Sequence, residues 1–357
     1  MFNPPQSSNS SYAASPAQRS NSAHRAYLTL RIIFGIIACF AVFGNCLVCL
    51  VILKKRNNLR NSYNLMILAL AIVDTLTGIC LAITPSFIIG ENNFPITSGL
   101  QGEFFCRFVS SHYFVFTLGK ISVALVMCLA VDRWFAIYRP LKYQTVFKRR
   151  TVIRNVMLVV LTCCIMNSRA VFEKRPASKD NVTTCKWMSL TKGKLAAQVY
   201  VIIHVTVTFV IPLSISWVTF LQLWLLLRKS PFHNDRQNRS RSLIYPLRMC
   251  ALTALFLGIC WTPNQFYFVM SKFDVMQLDT PLHHVTVVLS MFNSCLNPWI
   301  YGATNKKYGK EFRKIIFFWK RNQIEQSETD ILGITLENAK SRNGGRINPS
   351  VVPVNKD

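Results

Sequence analysis

Apolar residues in this chain run in long blocks separated by short polar segments. The blocks extend from about Ile32 to Leu53, Tyr63 to Ile89, Cys106 to Arg133, Val152 to Val171, Leu195 to Leu227, Leu247 to Met270 and Pro281 to Tyr301. A helix rises 1.5 Å per residue, so about 20 such residues cross the hydrocarbon of a bilayer; the third block, helical throughout, would reach roughly 40 Å. The fourth is interrupted near its outer end by Asn167, Ser168 and Arg169. The pattern predicts an all-α membrane protein, a bundle of seven transmembrane helices occupying 32–303. Beyond it Tyr308, Phe312, Ile315, Ile316 and Trp319 recur at helical spacing among lysines and arginines, which predicts a short amphipathic membrane-surface helix over 304–321. The ends, 1–31 and 322–357, are polar, and the second reads as a disordered tail with Ser327, Thr329, Thr335, Ser341 and Ser350 as candidate phosphate acceptors.

Composition agrees: 51% of the 357 residues are hydrophobic and 16% charged, unlike a soluble domain. The net charge of +26 by itself suits nucleic acid, but its basic residues stand in the connections. Lys54, Lys55, Arg56 and Arg60 follow the first block, Arg139, Lys142, Lys148, Arg149 and Arg150 the third, and Arg228, Lys229, Arg236, Arg239 and Arg241 the fifth. Under the positive-inside rule these connections are cytoplasmic, the amino terminus is extracellular, and nucleic acid is excluded as a partner. The first 25 residues contain no signal-peptide core, so the first span directs insertion. Asn9 and Asn181 begin glycosylation sequons on the outer side. Of the 12 cysteines all but Cys106 and Cys185 lie inside apolar blocks, where a thiol behaves as a small hydrophobe. No nucleophile elbow or phosphate loop is present, so the chain is not read as an enzyme.

Asp74, Lys120 and the pair Asp132-Arg133 stand inside apolar blocks. A charge there costs a few kcal/mol unless it is answered, which marks each as a functional candidate. Pro85, Pro212 and Pro263 are candidate kinks.

Gly44-Asn45, Leu70-Ala71-Ile72-Val73-Asp74, Asp132-Arg133-Trp134, Pro212, Cys260-Trp261-Thr262-Pro263 and Asn297-Pro298-Trp299-Ile300-Tyr301, in this order on these spans, resemble the rhodopsin-like (class A) G-protein-coupled receptors over about Ile32 to Trp319. The resemblance implies a plasma-membrane receptor whose switch comprises Asp132, Arg133, Trp261, Pro263, Asn297, Pro298 and Tyr301, with Arg133 released on activation to meet a heterotrimeric G protein. It further implies a sodium ion, favouring the inactive state, among Asp74, Ser122, Asn293, Ser294 and Asn297; the bland alternative is a hydrated network without an ion. An extracellular bridge between Cys106 and Cys185, and receptor kinases and arrestin at the tail, belong to the same expectation. The chain departs from the pattern at Phe220, where a tyrosine is usual, at Leu257, where a phenylalanine is usual with Phe256 adjacent here, and in the fourth span, which has no tryptophan. The inner end of the sixth span offers Arg133 no acidic partner.

Cys106 lies farther from Arg133 than the family pattern has it, so pocket positions are counted upward from Arg133. On that count Val115 replaces the aspartate of aminergic receptors and Met291 the retinal lysine of opsins, which disfavours amines and light. Phe116, Lys120, His204, Thr208, Trp261, Asn264, Gln265 and Phe268 are the candidate ligand-binding residues, although packing explains the aromatics equally well. Arg169, Lys174, Arg175, Lys179, Lys186, Lys192 and Lys194 predict a basic outer vestibule. The stretch from Asp132 to Tyr143 is similar to neuropeptide receptors, so a peptide is the first expectation and a small acidic metabolite or lipid the second. A seven-span transporter is disfavoured, because no repeat is evident.

Overall fold

The computed structural model describes residues 16–54, 56–90, 93–94, 96, 99–179, 182–190, 193–229, 237–278, 280–305 and 308–317. Asn9, Asn181, Trp319 and the tail serines and threonines lie outside the described residues. The helices are α1 (Pro16–Leu53), α2 (Ser62–Ile83), α3 (Leu100–Phe104), α4 (Tyr113–Tyr138), α5 (Pro140–Val146), α6 (Arg149–Asn167), α7 (Arg169–Glu173), α8 (Lys194–Val205), α9 (Ile211–Lys229), α10 (Gln237–Lys272) and α11 (Pro281–Thr304). Strands β1 (Lys174–Lys179) and β2 (Val182–Trp187) form an antiparallel hairpin between α7 and α8.

Among the described residues six apolar segments are long enough to cross a membrane: Arg25–Leu53, Ser62–Ile83, Leu100–Tyr138, Arg149–Glu173, Lys194–Leu226 and Tyr245–Lys272. The seventh is α11, whose 24 residues span about 36 Å. It is the least apolar because Ser290, Asn293, Ser294 and Asn297 sit on it, and all four are buried against other helices. The opposite faces of the spans carry Ile32, Ile36, Phe40 and Phe43 on α1, Leu158, Leu161 and Ile165 on α6, and Trp217, Leu221 and Trp224 on α9. Exposed apolar side chains at this helical spacing are satisfied by acyl chains. Packing places α4 at the centre, against α2, α6, α9 and α10, while α1 closes the ring against α2 and α11.

The third span is not the single helix expected from Cys106 to Arg133. A π-helical turn covers Phe105–Ser110, His112 takes a left-handed conformation (φ 59°), and α4 begins afresh at Tyr113. A π turn carries an extra residue within a helix, and the left-handed residue resets the axis. The surplus between Cys106 and Arg133 is therefore absorbed above Tyr113, so counting upward from Arg133 holds along α4 and fails beyond it. The second span also ends earlier than its apolar block: the helix stops at Ile83, with Thr84 extended before Pro85. Proline disfavours helical geometry in the residue before it.

The segment after α7 is a hairpin, for which the β-branched run Val182-Thr183-Thr184 is the local signal. Cys185 on β2 is bridged to Cys106, with Cα atoms 5.3 Å apart. Lys174 on β1 is buried, donates to Ser110 O at 2.8 Å and lies 5.2 Å from the Trp187 ring centre.

The Gly44-Asn45 dipeptide is explained by Pro298. Proline lacks the N–H that would bond the carbonyl four residues earlier, which is that of Ser294. Asn45 Nδ2 donates to Ser294 O at 2.9 Å and to Ala41 O at 2.9 Å, replacing the missing partner from α1. Gly44 makes the approach feasible, because a Cβ there would stand 2.9 Å from Pro298 Cγ.

Separately from the bundle, residues 308–317 form a helix, α12, shorter in its described part than the amphipathic segment expected over 304–321. Tyr308 and Phe312 make an edge contact along it, with ring centres 6.1 Å apart.

Replacing Asn45 by Leu should leave Ser294 O unsatisfied in a buried site and cost about 1–3 kcal/mol. The expected readout is a lower unfolding temperature of the detergent-purified chain, and an unchanged temperature contradicts the assignment.

Candidate functional site

Buried polar groups line the bundle at three heights, each with a member on α4. At the inner end Asp132 and Arg133 are both buried. Arg133 donates to Asp132 Oδ2 through Nε at 2.9 Å and also through Nη2. The other oxygen, Asp132 Oδ1, accepts from Ser62 Oγ at 2.7 Å and from Tyr143 OH at 3.2 Å. Tyr143 OH also accepts from Arg133 Nη2 at 3.2 Å and shares a 2.6 Å hydrogen bond with Ser62. Burial, reinforced by the neighbouring Asp132, raises the Tyr143 phenol above its ordinary pKa, so it remains a donor at neutral pH. The guanidinium carbon of Arg133 stands 4.3 Å from the Tyr63 ring centre, and Tyr63 OH donates to Met249 Sδ on α10 at 3.6 Å. The sixth span, with no carboxylate at this end, is thus linked to Arg133 through an aromatic face. Ser62 and Tyr63 carry no motif of their own, and their part in the network is tertiary; Tyr143 lies within the stretch likened to neuropeptide receptors.

At the middle height Asp74 is fully buried. Its Oδ1 accepts from Ser122 Oγ at 2.9 Å on α4 and its Oδ2 from Asn297 Nδ2 at 2.6 Å on α11, with Ser294 buried on the same helix. Asn293 is buried on the same helix but makes no hydrogen bond to Asp74 among the described contacts. Two neutral donors solvate this carboxylate, and no protein cation pairs with it among the described residues. Its carboxylate and hydroxyl oxygens are hard donors of the kind a small cation takes.

At the outer height Lys120, Trp261, Asn264 and Gln265 are each no more than 5% exposed. Lys120 Nζ donates to Gln265 Oε1 and lies 5.5 Å from the ring centres of both Phe209 and Trp261. From Gln265 the bonds continue: its Nε2 donates to Asn264 Oδ1 at 3.3 Å, Asn264 Nδ2 to Thr286 Oγ1 at 3.4 Å, and Thr286 Oγ1 to His283 O at 2.8 Å. His204 and Thr208 are buried on the fifth span, the Thr208 hydroxyl donating to His204 O at 2.7 Å. Phe116 and Phe268 are peripheral: Phe116 meets the His112 ring edge-on, and Phe268 lies under Lys272. Gly119, which sequence reasoning passed over, lets the Trp261 ring sit against the α4 backbone; a Cβ there would collide with the indole.

The vestibule is less free in charge than expected. Arg169 pairs with Glu173 at 2.6 Å and stacks 4.1 Å from the Tyr200 ring centre, Lys194 pairs with Asp274, and Lys174 is buried. Side chains of Lys179 and Lys192 lie outside the description. Phe256, adjacent to the unusual Leu257, faces outward and does not take its place in the core, where Leu257 itself is buried. A cavity of about 330 Å³ opens elsewhere, on the membrane flank between α4 and α9 beside Trp134, Ser214, Val218 and Gln222.

The bundle thus holds buried ionisable groups at three heights, Lys120 and Asp132-Arg133 on α4 and Asp74 on α2 between them. Residues 44–301 match the family described as 7 transmembrane receptor (rhodopsin family), and the chain belongs to that family. It is a G-protein-coupled receptor and not an enzyme. It is 27% identical to the type-1 angiotensin II receptor B of Xenopus laevis across 81% of this chain and 79% of that one. It is 25% identical to the somatostatin receptor type 1 of Rattus norvegicus, across 84% and 74%, and 24% identical to the galanin receptor 2a of Danio rerio, across 83% and 80%.

Because Tyr63 joins Arg133 to α10, Tyr63→Leu should raise ligand-free nucleotide exchange in isolated membranes about 3-fold, as expected for loss of one cation–π contact. Exchange equal to the parent at matched expression contradicts this link.

Proposed function

We propose that the chain is a plasma-membrane receptor, its amino terminus extracellular, that converts binding of an extracellular peptide into nucleotide exchange on a heterotrimeric G protein. The observation that carries the reading is the closed inner network: a buried Asp132-Arg133 pair held by Ser62 and Tyr143, positioned where α10 meets it through Tyr63. Arg133 released from Asp132 is a cation at the cytoplasmic face, available to a G protein. Pro263 in α10 leaves the carbonyl of Ile259 without its helical N–H partner, so the inner half of α10 can swing while the outer half stays packed. Trp261, Asn297, Pro298 and Tyr301 complete that switch in our reading. The peptide assignment rests on the relatives, whose names are those of angiotensin, somatostatin and galanin receptors.

The ligand residues in this reading are Lys120, His204, Thr208, Trp261, Asn264 and Gln265, with Phe116 and Phe268 at their border. Asp74, Ser122, Asn293, Ser294 and Asn297 would hold a sodium ion, whose charge opposes the buried carboxylate. A bound ion would brace α2, α4 and α11 and so favour the closed form. Glycosylation at Asn9 and Asn181, and kinase and arrestin action on the tail, belong to the same reading.

Arg133→Ala should abolish ligand-dependent exchange while surface expression persists; retained coupling overturns the switch assignment. A peptide library on cells carrying a promiscuous G-protein reporter tests the ligand class, and responses confined to small acids overturn it. Replacing sodium by potassium at constant ionic strength should raise basal exchange in the parent and leave Asp74→Asn insensitive; equal sensitivity of the two contradicts the ion site.

A further inference from the structure

We propose that the agonist carries an anionic group, a carboxylate in the first instance, which takes Lys120 away from Gln265 and by that exchange releases α10. The proposal rests on the receptor reading above and deepens it. Lys120 is 3% exposed and its partners are a neutral amide oxygen and two aromatic faces. No carboxylate forms an ion pair with it among the described residues. A buried ammonium with only neutral acceptors is held in a minimum that a carboxylate would deepen, since a hydrogen bond between two ionised groups is roughly twice as strong as a neutral one. Three buried polar atoms in the same region have no partner: Thr117 Oγ1, one turn above Lys120 on α4, His204 Nδ1 and Trp261 Nε1. Hydroxyl and indole N–H are donors that a second oxygen of the same anion can occupy.

The exchange has a direction because of what Gln265 is attached to. From Lys120 the bonds run donor to acceptor through Gln265, Asn264 and Thr286 to His283 O, crossing α4, α10 and α11. Each bond in such a chain polarises the next, and the ammonium at its head strengthens all of them. Gln265 and Trp261 flank Pro263 on α10, and Trp261 is seated on Gly119, the neighbour of Lys120. An anion on Lys120 therefore removes the polar link between α4 and α10 beside the proline, and it binds the unlinked state better than the linked one. That difference in affinity is what a ligand needs to shift the equilibrium.

The test begins without ligand. At matched surface expression, Gln265→Leu, which deletes the link, should raise basal exchange about 3- to 10-fold, and Gln265→Glu, which makes it an ion pair, should lower basal exchange below the parent. Basal exchange equal in all three, or raised by both substitutions, overturns the proposal. The probes are then a peptide library in which each member is made with a free carboxyl terminus and as the amide, together with a set of small carboxylates. The acid form of a responding peptide should be about 10- to 100-fold more potent than its amide on the parent, the range of one hydrogen bond to a charged group. On Lys120→Gln the two forms should become equal; amides as potent as acids on the parent, or an acid preference that survives Lys120→Gln, overturns the anion assignment. Small carboxylates that act through Lys120 while every peptide is silent would sink the peptide reading and support this one.

Discussion

A charge inside the hydrocarbon must be answered by the protein around it, and this requirement shapes the bundle. Asp74, Lys120, Asp132 and Arg133 are buried at three heights, and each is held by side chains from other helices. Helix association in lipid lacks the hydrophobic drive that operates in water, so polar links and close packing have to position the spans. Here α4 is tied to α2 through Ser122–Asp74 and Ser62–Asp132, and to α10 through Lys120–Gln265. Breaking one of these links leaves a buried polar group alone, and so the bundle favours discrete arrangements over gradual deformation.

The three levels differ in how well their charges are met. Asp132 and Arg133 satisfy each other and are braced by two hydroxyls. Asp74 has two neutral donors. Lys120 has one neutral acceptor and two rings. The least satisfied charge lies toward the end of the bundle that carries the β1–β2 hairpin, and the best satisfied pair lies at the opposite end. Close contacts of glycine with large rings make this linkage stiff: Trp261 rests on Gly119, Pro298 on Gly44 and Trp217 on Gly258.

The position of Arg133 shows how a departure from the family pattern is met physically. Without a carboxylate on the sixth span, α10 reaches the arginine through Tyr63 and Met249. An aromatic face is a weaker partner than a carboxylate at a desolvated site. Tyr143 and Ser62 meanwhile hydrogen-bond the carboxylate of the Asp132-Arg133 pair itself.

Seven spans, and the charges of Asp74, Lys120, Asp132 and Arg133 within the second and third, were legible in the sequence because hydrocarbon imposes a composition on every residue that faces it. The switch motifs could be read because proline, tryptophan and paired charges are rare in such blocks. Sequence pattern was blind to the break above Tyr113, since π and left-handed turns leave the apolar run unchanged. It was equally blind to the partners of Lys120, of Arg133 and of Pro298. Gln265, Tyr63 and Asn45 lie 145, 70 and 253 residues away from them, and nothing local records which of many buried polar side chains will meet. Those pairings were decided by packing, which brings α1 to α11, α2 to α4 and α4 to α10 and lets each buried charge or freed carbonyl take the donor or acceptor placed beside it.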